Sequence, residues 1–279
     1  MTDQKKKHED HIEWTVLYHS PGKFKGRGEF LRLMLEDAGV PYVNSGDNLY
    51  GPMGLMDAFR GDVEAVRVNN DAVYPVFFPP AVLHRPKATD EPPVMINQVG
   101  ACMMYLGDQL GYAPKTPAEA ARANSILLNA LDYISEGRKS FHPVQNSMSY
   151  NDQKEEGDKA SKEFSDTRLR FYLYHFEKVV AVHGSNRPVA GGHNLTYADF
   201  ALFHVLDATV SQFNTDFYGM AWDKLDVHHL KEFYASMKSR PNLQVYFQSD
   251  RCARKCFRTL LKEKAMSRIN VSCTFPGFG

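Results

Sequence analysis

The stretch LYHSPGKFKGRGEF, residues 17–30, sets Tyr18, His19 and Ser20 where a β-branched and aromatic run gives way to a loop punctuated by Gly22, Gly26 and Gly28. A phenol with a pKa near ~10 stays protonated at neutral pH and can donate a hydrogen bond to an anion. A serine hydroxyl could donate in the same way, and an imidazole could serve as a base. On the residues alone, Tyr18 reads first as a core aromatic with its hydroxyl at the rim. Other reactive types carry less. Cys102, Cys252, Cys256 and Cys273 contain no CxxC, which argues against a disulfide scaffold and a zinc site. Cys252 and Cys256, four apart, read as packed rather than as redox partners. His142 in FHPV and the pair His228-His229 have no further ligand at metal spacing, so no metal site is expected. GGHN at 191–194 lacks the strand and helix context of a phosphate-cradling loop and reads as a turn.

The elements that must position these groups follow from periodicity. A chain of 279 residues is long enough for two cores. Its 33 basic and 33 acidic residues cancel, so there is no global pull toward nucleic acid or an anionic surface. No run reaches the roughly 18 apolar residues of a spanning helix, and the charged start MTDQKKKHEDH has no apolar stretch behind it. A soluble, unexported protein of a reducing cytoplasm is expected, without integral membrane contact. WTVLY (14–18) predicts a strand. From Glu29, residues Leu31, Met34, Leu35 and Ala38 share one face of a helix that stops at Gly39, and VPYV resumes an extended pattern, so a parallel strand–helix–strand unit is expected. VYPVFFPPAVL (73–83) holds three prolines and suits an edge or the start of a strand, with Pro80 a candidate cis residue. Val94 to Ile96 then form a strand, Asn97 and Gln98 a turn, and Cys102, Tyr105 and Leu106 lie on a helix that closes the first domain near Gly111.

Beyond Pro114 only helical patterns follow: TPAEAARANSILLNALDYISEG, KEEGDKASKEFSDTRLRFYLYHFEKVVAVHG, LTYADFALFHVLDATVSQF and HHLKEFYASMKSR. Thr196 and Asp199 form a capping box worth about 1 kcal/mol, with Phe200, Phe203, Leu206 and Val210 on the buried side. The run DQKEEGDKASKE reads as a solvated face, and Tyr172, Tyr174 and Phe176 as core. The expected organisation is a charged extension (1–11), an α/β domain (12–111), an all-α domain (115–252) and a basic, amphipathic tail (253–279). The tail reads first as docked on the protein's own surface, with an active-cleft lid or an anionic-surface contact as sharper alternatives.

This order resembles the soluble glutathione transferases. WTVLY with GRGEFLRLMLEDAGVPYV looks like the first strand and helix of the tyrosine-type classes, FPPAVL like the cis-proline segment, and NQVGACMMYLG like the motif opening the third helix. LTYADFALF is similar to the family's capped sixth helix and RPNLQVYFQSD to its final helix, while FHPVQNSMSYNDQKEE resembles a bacterial and fungal-type subgroup. The resemblance covers about residues 12–252 and implies an N-terminal thioredoxin-like domain followed by an all-α helical bundle.

The resemblance also implies a role for each position. Glutathione would be co-substrate, with no tightly bound cofactor, and a small electrophile the second partner, in a cytoplasmic homodimer serving detoxification. Tyr18 would be the catalytic residue, donating to the thiolate; lowering a thiol pKa from about 8.5 by about two units corresponds to ~2.7 kcal/mol. Ser20 and His19 remain alternatives, because the loop after Tyr18 looks about three residues longer than in tyrosine-type members. Cysteine-type and thioredoxin-like reductant mechanisms lack a sulfur in this loop. Pro79, Pro80, Gln98 and Val99 occupy the glutathione-binding positions, with two departures. Val99 stands where the family has a serine hydroxyl, and Pro79 has no N–H to exchange with the ligand's cysteinyl part. These departures motivate an alternative, a non-catalytic binding or structural protein on the same fold. A glutathione-dependent isomerase or peroxidase would use the same activated thiolate.

Overall fold

The computed structural model describes residues 12–18, 25–45, 67–68, 71–72, 77–87, 91–220 and 222–252. His19, Ser20 and the segments 1–11 and 253–279 lie outside the described residues. Strand β1 (Trp14–Leu17, WTVL) is buried along its whole length, Thr15 included, as a strand covered on both faces is. It pairs in parallel with β2 (Tyr42–Ser45), Trp14 opposite Tyr42, across helix α1 (Glu29–Asp37). Strands β3 (Arg67–Val68) and β4 (Asp71–Ala72) form a separate ribbon, too short to leave a pattern in the sequence. Strand β5 (Ala81–His84) runs antiparallel to β1, and β6 (Val94–Asn97) antiparallel to β5, giving the order β2-β1-β5-β6. The proline-rich segment therefore leads into an interior strand rather than an edge. Its prolines stop at Pro80, one residue before the ladder begins, so no pairing N–H is lost.

Helix α2 (Val99–Leu110) ends at Gly111, whose φ of 83° makes the left-handed stop. Then come α3 (Pro117–Phe141), α4 (Lys154–Asp166), α5 (Arg168–His183), α6 (Tyr197–Phe213), α7 (His228–Lys238) and α8 (Pro241–Gln248). The segment read as one helical stretch from Lys154 to Gly184 is two helices. Thr167 leaves helical geometry (φ −120°, ψ −87°) while its hydroxyl and N–H both donate to the Glu163 carbonyl, competing with continuation. On α5, Phe176 is buried but Tyr174 is exposed, so only part of the expected aromatic core forms there. No helix among the described residues is long and apolar enough to cross a membrane.

Helix α6 is buried nearly all round, not along one stripe, and this is the signature of a central helix. Its capping box is present: Asp199 accepts the Thr196 N–H at 2.7 Å and the Val189 N–H at 2.9 Å. Burial pushes the Asp199 carboxyl up to about 6 against the pull of these bonds. Helix α1 packs against α2, α6 and α8. Leu31, Met34 and Leu35 face the core as expected, yet Glu29, Arg32, Glu36 and Asp37 are buried too. Arg32 donates to Glu29 at 2.7 Å, and the Tyr246 hydroxyl of α8 reaches the same carboxylate at 3.1 Å. Burial opposes the Arg32 charge, but Glu29 more than compensates and holds its pKa above the ordinary value.

Breaking this pair should expose its worth. Glu29→Ala leaves the Arg32 charge buried without its carboxylate and should cost about 3–5 kcal/mol. The double change Glu29→Leu with Arg32→Met should cost much less. Urea unfolding of both variants checks this, and equal losses would show that α1 depends on shape rather than charge.

His204, on α6, packs edge-on against Phe30 and donates from Nε2 to the Gly26 carbonyl at 2.9 Å. Burial pushes its pKa down to about 4 from 6.5. The folded state thus resists a proton that the unfolded chain accepts below pH 6.5, so stability is lost as pH falls from about 6.5 to about 4. The full effect is about 3 kcal/mol. Subtracting the pH–stability curve of His204→Asn from that of the parent should leave this slope, and parallel curves would overturn the assignment.

Candidate active site

Strand register brings the predicted residues to one end of the sheet. Leu17 is opposite Ala81, and Ala81 is opposite Asn97. Tyr18, Pro80 and Gln98 are each one residue beyond these partners, so they stand side by side across three strands, roughly 10 Å from first to last.

Each is fixed by local chemistry. The Pro79–Pro80 bond is cis and both prolines are buried. Gln98 has φ 71°, the one non-glycine residue with positive φ among the described residues, and caps α2 through its carbonyl, which accepts the Cys102 N–H at 2.9 Å. A non-glycine residue held there stores about 1–3 kcal/mol of strain, which marks functional corners. Val99 points into the core, 3% exposed, so the backbone N–H groups and dipole of α2 remain while a side-chain hydroxyl is lacking.

Tyr18 is buried, with its hydroxyl oxygen accepting the Arg27 N–H at 2.9 Å. Burial pushes the phenol above its ordinary value; the Arg27 N–H and then the guanidiniums of Arg32, Arg27 and Arg138 pull it back only in part. The shift favours the protonated phenol at neutral pH. Its ring rests on Gly28, where an added Cβ would lie 2.8 Å from Tyr18 Cγ and Cδ1. Ring atoms next to Cβ cannot swing away without moving the hydroxyl. Gly28→Ala should therefore cost about 1–3 kcal/mol by overpacking, although its helical backbone (φ −68°) suits alanine. Loss of the Tyr18 acceptor should also speed hydrogen exchange at the Arg27 amide. Unchanged exchange would mean that the ring has room to adjust.

Arg27, Ser135 and Arg138 were not singled out in the sequence. Arg27 Nη2 donates to Ser135 Oγ at 2.7 Å, joining the head of α1 to α3. Arg27 belongs to the GRGE segment, but nothing local marks Ser135 or Arg138, which arrive through packing of a distant helix. Cys102 is buried with its thiol on the Ile96 carbonyl, and burial pushes its pKa up to about 12, so it is an inert core group. His142 bonds the Met148 carbonyl. The histidine pair has an acidic neighbour that sequence spacing missed: Glu177 of α5 comes within 4.8 Å of both rings' ligand atoms. Its carboxylate already accepts the His229 and Leu230 N–H groups, capping α7.

Residues 139–250 match a family described as the glutathione S-transferase C-terminal domain. Glutathione S-transferase 1 of Ascaris suum is 31% identical over 153 residues, 54% of this chain and 66% of that protein. Glutathione S-transferase 2 of Onchocerca volvulus is 32% identical over 123 residues, 44% of this chain and 54% of that protein. The chain thus spans between half and two thirds of the curated relatives it matches. The Fasciola hepatica sigma class structure aligns with TM-score 0.61 at 18% identity, over 85% of this chain and 95% of that one. The Onchocerca volvulus Pi-class glutathione S-transferase aligns with TM-score 0.58 at 20% identity, over 85% and 93%. At such identities the structural likeness establishes the fold, a mixed α/β N-terminal region followed by a helical bundle. The chain has the glutathione S-transferase fold, and its residues 139–250 match the C-terminal domain of that family.

Proposed function

We propose that this protein is a tyrosine-type glutathione transferase that conjugates the glutathione thiolate to a small electrophile. The observation that carries the reading is the alignment of Tyr18, Pro80 and the positive-φ Gln98 at one end of the sheet. Tyr18 is the residue to donate to the thiolate. Its raised pKa supports a neutral donor, since a phenolate would repel the sulfur. The N-terminus of α2 is suited to the γ-glutamyl carboxylate through backbone N–H groups and dipole, and the Pro79 carbonyl to the cysteinyl N–H. In the chemical step the sulfur lone pair forms the C–S bond as the electrophile's leaving group departs with its electrons. The division at residues 111–115 into a glutathione-binding domain and a helical domain, a homodimeric state and a cytoplasmic location belong to the same reading.

Val99 and Pro79 favour one alternative, a binding protein that kept the fold without turnover, and affinity separates the two. Calorimetric titration with glutathione should show saturable binding, with the bound thiol ionising below the ~8.5 of a free thiol by ultraviolet absorbance. In Tyr18→Phe that pKa should return toward the free value and turnover fall by about tenfold or more. Absence of binding at millimolar glutathione would overturn the transferase reading.

A further inference from the structure

Most cations around α1 are paired with carboxylates, Arg32 beside Tyr18 among them. Lys25 lies 2.5 Å from Asp207, Arg32 2.7 Å from Glu29, Arg240 2.5 Å from Asp37 and Arg251 2.8 Å from Glu36. Arg27 and Arg138 break the pattern. The Arg27 guanidinium donates to Ser135 Oγ at 2.7 Å. Arg138, one turn along α3 on the same face, donates to the Asn146 side-chain and main-chain oxygens, both at 3.1 Å. These acceptors are neutral, and among the described residues neither arginine forms an ion pair with a carboxylate. Both are partly buried. Burial holds each below its ordinary pKa, and the Arg138 charge depresses Arg27 further, whereas negative charge on Tyr18 would raise both.

Partly buried cations without anions are a cost that an arriving anion relieves. One thiolate beside Tyr18 would supply a single negative charge to two guanidiniums, and with the γ-glutamyl carboxylate at the N-terminus of α2 the second guanidinium is left to a further carboxylate, either the glycyl end of glutathione or the electrophile's own. We propose that the face of α3 beside Tyr18 selects an electrophile bearing a carboxylate, with Arg138 as the specificity-determining residue that receives it. The inference deepens the transferase reading and rests on it for the reaction. Arg138 takes no part in bond changes: sulfur attacks the carbon bearing the leaving group, the C–S bond forms, and the leaving group departs with the electron pair of the broken bond. The thiol proton has already gone to solvent.

The test compares para-nitrobenzoate with nitrobenzene by equilibrium titration of the full chain, with and without the unreactive S-methylglutathione. The benzoate should bind more tightly, and Arg138→Met should weaken it by about tenfold, as expected for a charge-assisted hydrogen bond, without altering nitrobenzene. Arg138→Lys should recover part of the loss. The kcat/KM ratio of a chlorodinitrobenzoate over chlorodinitrobenzene should fall by a similar factor, with chloride leaving in both. Equal effects on the charged and neutral ligands would overturn the proposal. So would a matching loss of S-methylglutathione affinity, which would give Arg138 to a glutathione carboxylate instead. Arg138-dependent benzoate binding without any glutathione binding would sink the transferase reading and leave the anion site standing.

Discussion

Helix α1 is buried on every side, and the architecture depends on making that tolerable. Its apolar residues meet the shared core; its polar residues meet partners from nearby positions and from the far end of the chain. Asp37 receives Arg240 and Tyr112, Glu36 receives Arg251 and Tyr42, and Glu29 is shared by Arg32 and Tyr246. A buried carboxylate without such partners would cost several kcal/mol, so α1 and the helices holding its partners are stable only together. The ion pairs also impose geometry, because bidentate pairs such as Arg240 with Asp37 accept little rotation.

The same helix aims the site. Its head supplies the Arg27 N–H that holds the Tyr18 hydroxyl, and Gly28 leaves room for the ring. Just upstream, Lys25 and Gly26 are tied to Asp207 and His204 of α6. Tyr18 is thus positioned from the sheet by the end of β1 and from the bundle through the turn 25–28. A group on a short loop would be too loose for a hydrogen bond to sulfur, and this double anchoring is the physical answer.

Much of this was legible from residue order. The strand at Trp14–Leu17, the helix opening at Glu29 and the capping box at Thr196 and Asp199 leave local signatures, because each depends on residues within a few positions, whereas Pro80 was legible only as a candidate for a cis bond. Other features left none. The break at Thr167 turns on a side-chain hydrogen bond within a strongly helical run. Glu177 joins the histidine pair from another helix, and β5 became interior only when β6 paired beside it.

The sequence by itself determined most of the longer elements, their order and the residue types available for chemistry, since periodicity and capping are short-range properties of the chain. Tertiary structure alone decided which groups meet. Tyr18, Pro80 and Gln98 are neighbours through antiparallel register, Arg27 and Ser135 through helix packing, and Asp37 and Arg240 across 203 positions of chain. Charge pairing at such separation has no period to read. Burial of α1 selects it, and burial is a property of the assembled core.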